Sequence, residues 1–151
     1  MFRLLFPLAF LTICLSFACG NETCAEERGL ISMEDYLEQN NLSPTFDSTN
    51  MFWYTILEPG GAERPNRESL ITITYEGRET NDGVFDENES IRFPLSQLIA
   101  GWQLGLPLIG EGGRIILYLP SRLGYGPRGA GESVCPNSDL IFDVTLEEFT
   151  N

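Results

Sequence analysis

Ile73-Thr-Tyr-Glu-Gly-Arg-Glu-Thr-Asn-Asp-Gly-Val-Phe-Asp86 reads as a strand that ends in a turn. Its first residues continue an alternation begun at Leu70, with Ile71, Ile73 and Tyr75 set against Thr72 and Thr74. Side chains two apart share one face of a strand, so this segment is half-buried with a single apolar face. Asn81-Asp-Gly83 is a turn signal between that strand and Val84-Phe85, because Asn, Asp and Gly tolerate the backbone angles a tight turn needs.

Working outward, the same period recurs. Leu140 to Leu146 points Leu140, Phe142, Val144 and Leu146 inward against Asp143 and Thr145, and Arg114 to Leu119 is a further strand. Met51 to Leu57 is rich in aromatic and β-branched residues and stops at Pro59-Gly-Gly61. Between these strands, Leu98, Ile99, Trp102 and Leu106 fall at helical spacing, while Pro107 and the flanking glycines keep that helix short. Ser32-Met-Glu-Asp35 supplies an N-cap with carboxylates in the first turn, predicting a helix from about Met33 to Asn40, with Ile31, Tyr36 and Leu37 as its apolar contacts. The pattern predicts an α+β fold, an antiparallel sheet with one covered face and a brief central helix packed on it, preceded by one N-terminal helix.

Composition narrows the chemistry. The 151 residues, 42% hydrophobic, suffice for one compact domain plus an appendage. A formal charge of −13 with only nine Lys and Arg argues against nucleic acid, whose binding rests on cations that neutralise phosphates. The chain has no histidine, which removes Ser-His-Asp and Cys-His nucleophilic systems, His-ligated zinc and an imidazole pH switch. No metal site is expected. Gly110-Glu-Gly-Gly113 lacks the Lys-Ser/Thr of a phosphate loop and reads as a hairpin turn.

The N-terminus carries an address. Arg3 precedes an apolar run from Leu4 to Ala18, shorter than the ~20 residues that span a bilayer, so residues 1–18 read as a cleaved export signal. Ser16-Phe-Ala-Cys19 resembles a bacterial lipobox and makes Cys19 the candidate for lipidation. Residues 19–30 are polar and acidic with nothing periodic to bury, and read as a flexible tether. Residues 31–50 then hold the N-terminal helix and a linker, and 51–151 the main domain. In an oxidising compartment Cys24 and Cys135 either form one bridge or remain free thiols.

Taken together, Ile73 to Asp86, Ile99-Ala-Gly-Trp102 and Leu123-Gly-Tyr-Gly-Pro-Arg-Gly129 resemble the FKBP-type peptidyl-prolyl isomerases in order and spacing across roughly the last ninety residues. The resemblance implies a sheet wrapped around the central helix. It further implies a pocket with Trp102 as its floor and Tyr75, Phe85 and Phe142 as walls, and Ile99 and Val134 completing the lining. The Ile99 N–H and the Tyr125 hydroxyl would hold substrate carbonyls, and Asp86 would orient the wall. Leu98 belongs with the same lining. Ile91 stands where the family often has a second wall phenylalanine, Ala130 where a larger residue often sits, and Cys135 where proline is usual.

The implied activity is cis-trans isomerisation of Xaa-Pro bonds in exported proteins, with no cofactor and with macrolides as candidate inhibitors. The arrangement of tether and helix also resembles small FKBP-type lipoproteins of Bacteroidetes, some of them associated with gliding motility. The alternative is a binding module that holds a proline-containing loop without turning it over.

Overall fold

The computed structural model describes residues 23–151; residues 1–18, read as an export signal, and Cys19 lie outside them. The elements run α1 (Cys24–Arg28), α2 (Met33–Gln39), β1 (Thr45–Asp47), β2 (Phe52–Glu58), β3 (Leu70–Glu79), β4 (Val84–Pro94), α3 (Ala100–Gly105), β5 (Gly113–Leu119) and β6 (Leu140–Thr150). Every strand pairs antiparallel, in a six-stranded sheet of order β1-β2-β5-β6-β3-β4.

The alternation read in the sequence becomes the two faces of this sheet. Ile71 and Ile73 of β3, Ile115, Leu117 and Leu119 of β5, and Leu140, Phe142, Val144 and Leu146 of β6 point to one side, where they enclose Trp102 and Leu106. The helix can approach because Gly101 has no side chain, and a Cβ there would sit 2.3 Å from Leu119 Cδ1. Helix α3 is short for the reason anticipated: it runs directly into a 3-10 turn at Leu106–Leu108 that contains Pro107.

The opposite face is not bare, as a sheet with one covered face would have it. Met33, Tyr36 and Leu37 of α2 pack there against Tyr118 of β5 and Ile141 of β6. An all-apolar run such as Leu140-Ile-Phe142 signals burial on both sides. Ser32 caps α2, its hydroxyl accepting the Asp35 N–H at 3.1 Å. Asp139 ties this helix to the sheet by accepting the N–H groups of Met33 (2.9 Å) and Ser121 (2.8 Å). Burial raises its pKa, and these two bonds oppose the rise.

Three further differences concern local order. Within the stretch read as a tether, residues 24–28 form a helix with a Thr23/Glu26 capping box, closed by Gly29 at φ 68°. It is held to the domain by a disulfide between Cys24 and Cys135, whose Cα atoms are 5.7 Å apart. The linker after α2 contains the short edge strand β1, paired with β2. Gly110 to Gly113 turns the chain from the 3-10 segment into β5 and does not join two strands.

Candidate functional site

Strands β3, β4 and β6 and the start of α3 surround a cavity of about 180 Å³, lined by Tyr75, Asp86, Phe93, Leu98, Ile99, Trp102, Tyr125 and Phe142. Trp102 is its floor at 4% exposure. The Tyr75 ring meets it nearly edge-on at 4.9 Å and 81°, and Phe142 does so at 5.2 Å and 88°. Such edge-to-face contacts fix ring orientation and add to burial, because the positive edge of one ring meets the negative face of another.

Phe85 stands behind this layer, edge-on to Phe142 at 5.6 Å and to Tyr125 at 6.3 Å. Gly77 makes this stacking possible. It pairs with Phe142 across β3 and β6, and a Cβ there would lie 2.8 Å from both the Phe142 and Phe85 rings. The glycine is required for space.

Polar groups are few and placed at the edge. The Tyr75 hydroxyl donates to Asp86 Oδ2 at 2.6 Å and accepts from Asn88 Nδ2 at 3.1 Å. Burial, reinforced by the Asp86 carboxylate, pushes the Tyr75 pKa up to about 12, so the ring stays a neutral donor. Tyr125 is also raised, by burial first and the Asp86 charge second. Ile99 is the N-cap of α3, and an N–H at that position has no partner within its own helix. The Trp102 indole nitrogen is buried and unpaired among the described residues.

The structure therefore gathers Tyr75, Asp86, Leu98, Ile99, Trp102, Tyr125 and Phe142 at one cavity, with Phe85 supporting it. Val134, Ala130 and Ile91 are not in its lining. Val134 is drawn into the core, and Ala130 is bridged to it. Ile91 packs on the core opposite its β3 partner Ile73; beyond it β4 carries a bulge, the pairing stepping from Ile73↔Ile91 to Tyr75↔Asn88, with Ser90 at φ 47°.

Phe93, two residues on, supplies the wall, and sequence reasoning missed it. Its signal was the alternation Ile91, Phe93, readable only once the register is known. A larger hollow of about 750 Å³ lies over Thr74, Glu76, Glu87, Arg114 and Asp143, but its lining is mostly polar and charged, with Tyr75 its single aromatic residue. The smaller cavity is the better candidate. Among the described residues no carboxylate or thiol cluster is arranged to hold a metal ion.

An antiparallel sheet curled over one short helix, with an aromatic cleft between the helix start and the far strands, defines the FKBP-like class of fold. The family model described as FKBP-type peptidyl-prolyl cis-trans isomerase matches residues 61–147, and the chain belongs to this family.

The "Probable FKBP-type peptidyl-prolyl cis-trans isomerase FkpA" of Neisseria meningitidis is 37% identical over 118 residues, covering 75% of this chain and 43% of that protein. The crystal structure of FkpA from Escherichia coli superposes with a TM-score of 0.72 at 31% identity, over 78% of this chain and 57% of the other. A peptidyl-prolyl cis-trans isomerase from Pseudomonas syringae gives 0.72 at 25%, over 87% and 100%. The chain spans less than half the length of the first curated relatives it matches.

Proposed function

We propose that the protein is a peptidyl-prolyl cis-trans isomerase that accelerates Xaa-Pro isomerisation in exported polypeptides. The observation that carries this reading is the cavity itself, an edge-to-face aromatic box over Trp102 with its hydrogen-bonding groups confined to the rim. Turning a prolyl bond needs no nucleophile and no proton carrier, since the barrier of ~18–20 kcal/mol is lost amide resonance.

The twisted amide has less charge separation than the planar one. A dry aromatic box therefore disfavours the ground state relative to the twisted state, and that difference in binding is what lowers a barrier. In this reading the proline ring rests on Trp102 between Tyr75, Phe93 and Phe142. The Ile99 N–H and Tyr125 hydroxyl hold the flanking carbonyls. Asp86 fixes Tyr75 through the 2.6 Å hydrogen bond.

The test is the cis-to-trans rate of a Leu-Pro peptide with the protein from Gly20 onward. Tyr125→Phe removes one donor, worth ~0.5–1.5 kcal/mol, and is expected to lower kcat/KM by about two- to tenfold with unfolding unchanged. A macrolide should compete. A folded protein that does not accelerate the peptide would refute the activity.

Cys19 would carry the lipid and hold the domain at a bacterial envelope membrane, facing the periplasm or cell surface. Loss of an acyl mass from the N-terminal peptide in Cys19→Ser checks this. The same reading groups the chain with the Bacteroidetes lipoproteins, including those associated with gliding, and gene deletion scored by colony spreading checks that part.

A further inference from the structure

The Tyr125 wall sits at the start of a loop with little secondary structure of its own. From Gly129 to Asn137 its regular pairing is a single bridge, Ala130↔Val134. What holds the segment comes from far away in the chain. Arg28 Nη1 donates to the Ser133 carbonyl at 2.9 Å, and its Nη2 donates to the Glu132 carbonyl. The same guanidinium pairs with Glu79 Oε2 at 2.9 Å. Glu79, almost fully buried at the end of β3, turns its other oxygen to the Cys135 N–H at 3.1 Å. Cys135 is in turn bonded to Cys24 of the helix that carries Arg28.

This cluster connects directly to Tyr125. The Asn137 N–H donates to the Gly126 carbonyl at 2.9 Å. Gly129, at φ 62°, lies so close to the backbone of residues 134–136 that a Cβ would be 2.3 Å from the Val134 carbonyl oxygen. The turn after Tyr125 is thus fastened to the segment that Glu79, Arg28 and the disulfide immobilise. None of these residues lines the cavity. A buried carboxylate carrying a cation and a loop N–H sets geometry, and loose supporting residues are a common way for a site to lose precision.

We propose that Arg28 and Glu79, closed by the Cys24–Cys135 bond, are positioning residues for the Tyr125 wall, so that substrate binding depends on the oxidised state of this bond. The inference rests on the proposed activity for its kinetic consequence but not for its structural one. Opening the clamp takes two electrons and two protons from a dithiol, which leaves as its own disulfide while Cys24 and Cys135 become thiols.

Two readouts are taken on the protein from Gly20 onward, with and without dithiothreitol, after thiol titration shows Cys24 and Cys135 free. Amide hydrogen exchange at Val134 and Asn137 is expected to accelerate at least about tenfold. For the Leu-Pro peptide, KM is expected to rise several-fold with kcat within about twofold. Arg28→Met, which keeps the disulfide, should reproduce the KM effect in part, and Arg28→Lys should restore most of it. Unchanged exchange and KM on reduction would overturn the proposal. If the oxidised protein does not isomerise the peptide, the activity reading fails and exchange alone decides the clamp: acceleration upholds it, constancy refutes it.

Discussion

Gly101→Ala sets two effects of known size against each other. Alanine in place of glycine within a helix gains about 0.8–1.0 kcal/mol in intrinsic propensity. Here the new Cβ would fall 2.3 Å from Leu119 Cδ1 and 2.7 Å from Cδ2. Carbon atoms rest about 3.5–4.0 Å apart, so helix and strand must separate by more than an ångström. Leu119 is fully buried and cannot swing aside into solvent.

Overpacking of this kind costs about 1–3 kcal/mol and sometimes more. Contacts of 2.3 and 2.7 Å belong in the upper half of that range, about 2–3 kcal/mol, so the clash wins by about 1–2 kcal/mol, or a fall in Tm of about 2–8 °C for a domain of this size. The same displacement moves Ile99 and Trp102, so kcat/KM should fall beyond what the lost stability explains. Urea unfolding of Gly101→Ala, Leu119→Ala and the double variant measures the coupling directly. In the Leu119→Ala background the alanine should be neutral or stabilising. A single variant as stable as the parent, or an equal cost in both backgrounds, would refute the packing argument.

Replacing Cys24 and Cys135 together by serine opens a loop of 111 residues, and chain entropy puts the loss near ~5 kcal/mol. A change under about 1 kcal/mol in urea titrations would contradict that account. Tyr36 and Tyr75 both have pKa values raised to about 12, by burial first and by hydrogen bonds to Asp82 and Asp86 second. A folded value above the unfolded ~10 means that their stabilisation is complete below pH ~10 and lost as pH rises towards 12. Absorbance titration should show late ionisation that Tyr36→Phe and Tyr75→Phe each reduce. Phe93→Ala should weaken peptide binding and lower kcat/KM with modest loss of stability. Ile91→Ala should do the reverse, costing roughly half of the ~2–5 kcal/mol for a fully buried aliphatic side chain; equal effects on binding would show that Phe93 and Ile91 do not have separate roles.

Much of this arrangement was legible because it rests on period and spacing. Leu140, Phe142, Val144 and Leu146 face one side as their alternation requires, and Trp102 lies under them on a helix ended by Gly105 and Pro107. What escaped was set by partners distant in sequence. Helix α1 buries none of its residues and has no apolar stripe to read, so its order depends on Glu79 and Cys135, 51 and 111 residues away. Ile91 and Phe93 share one face of β4, so alternation treats them alike, and only their register against Ile73 and Ile71 of β3 decides which of them lines the cavity. Strand β1, three residues long, exists through its pairing with β2 and not through its own composition.

The position of β6 governs when the protein can fold. Strand β6, which follows the other five in sequence, lies between β5 and β3, forming the central ladders of the sheet with both. Until Leu140–Thr150 has been delivered, the β3-β4 hairpin and the three strands β1-β2-β5 can exist only as separate pieces with their apolar faces uncovered. The sheet therefore closes only once residues 140–150 have been delivered, and the strands that precede them cannot be a finished fold on their own.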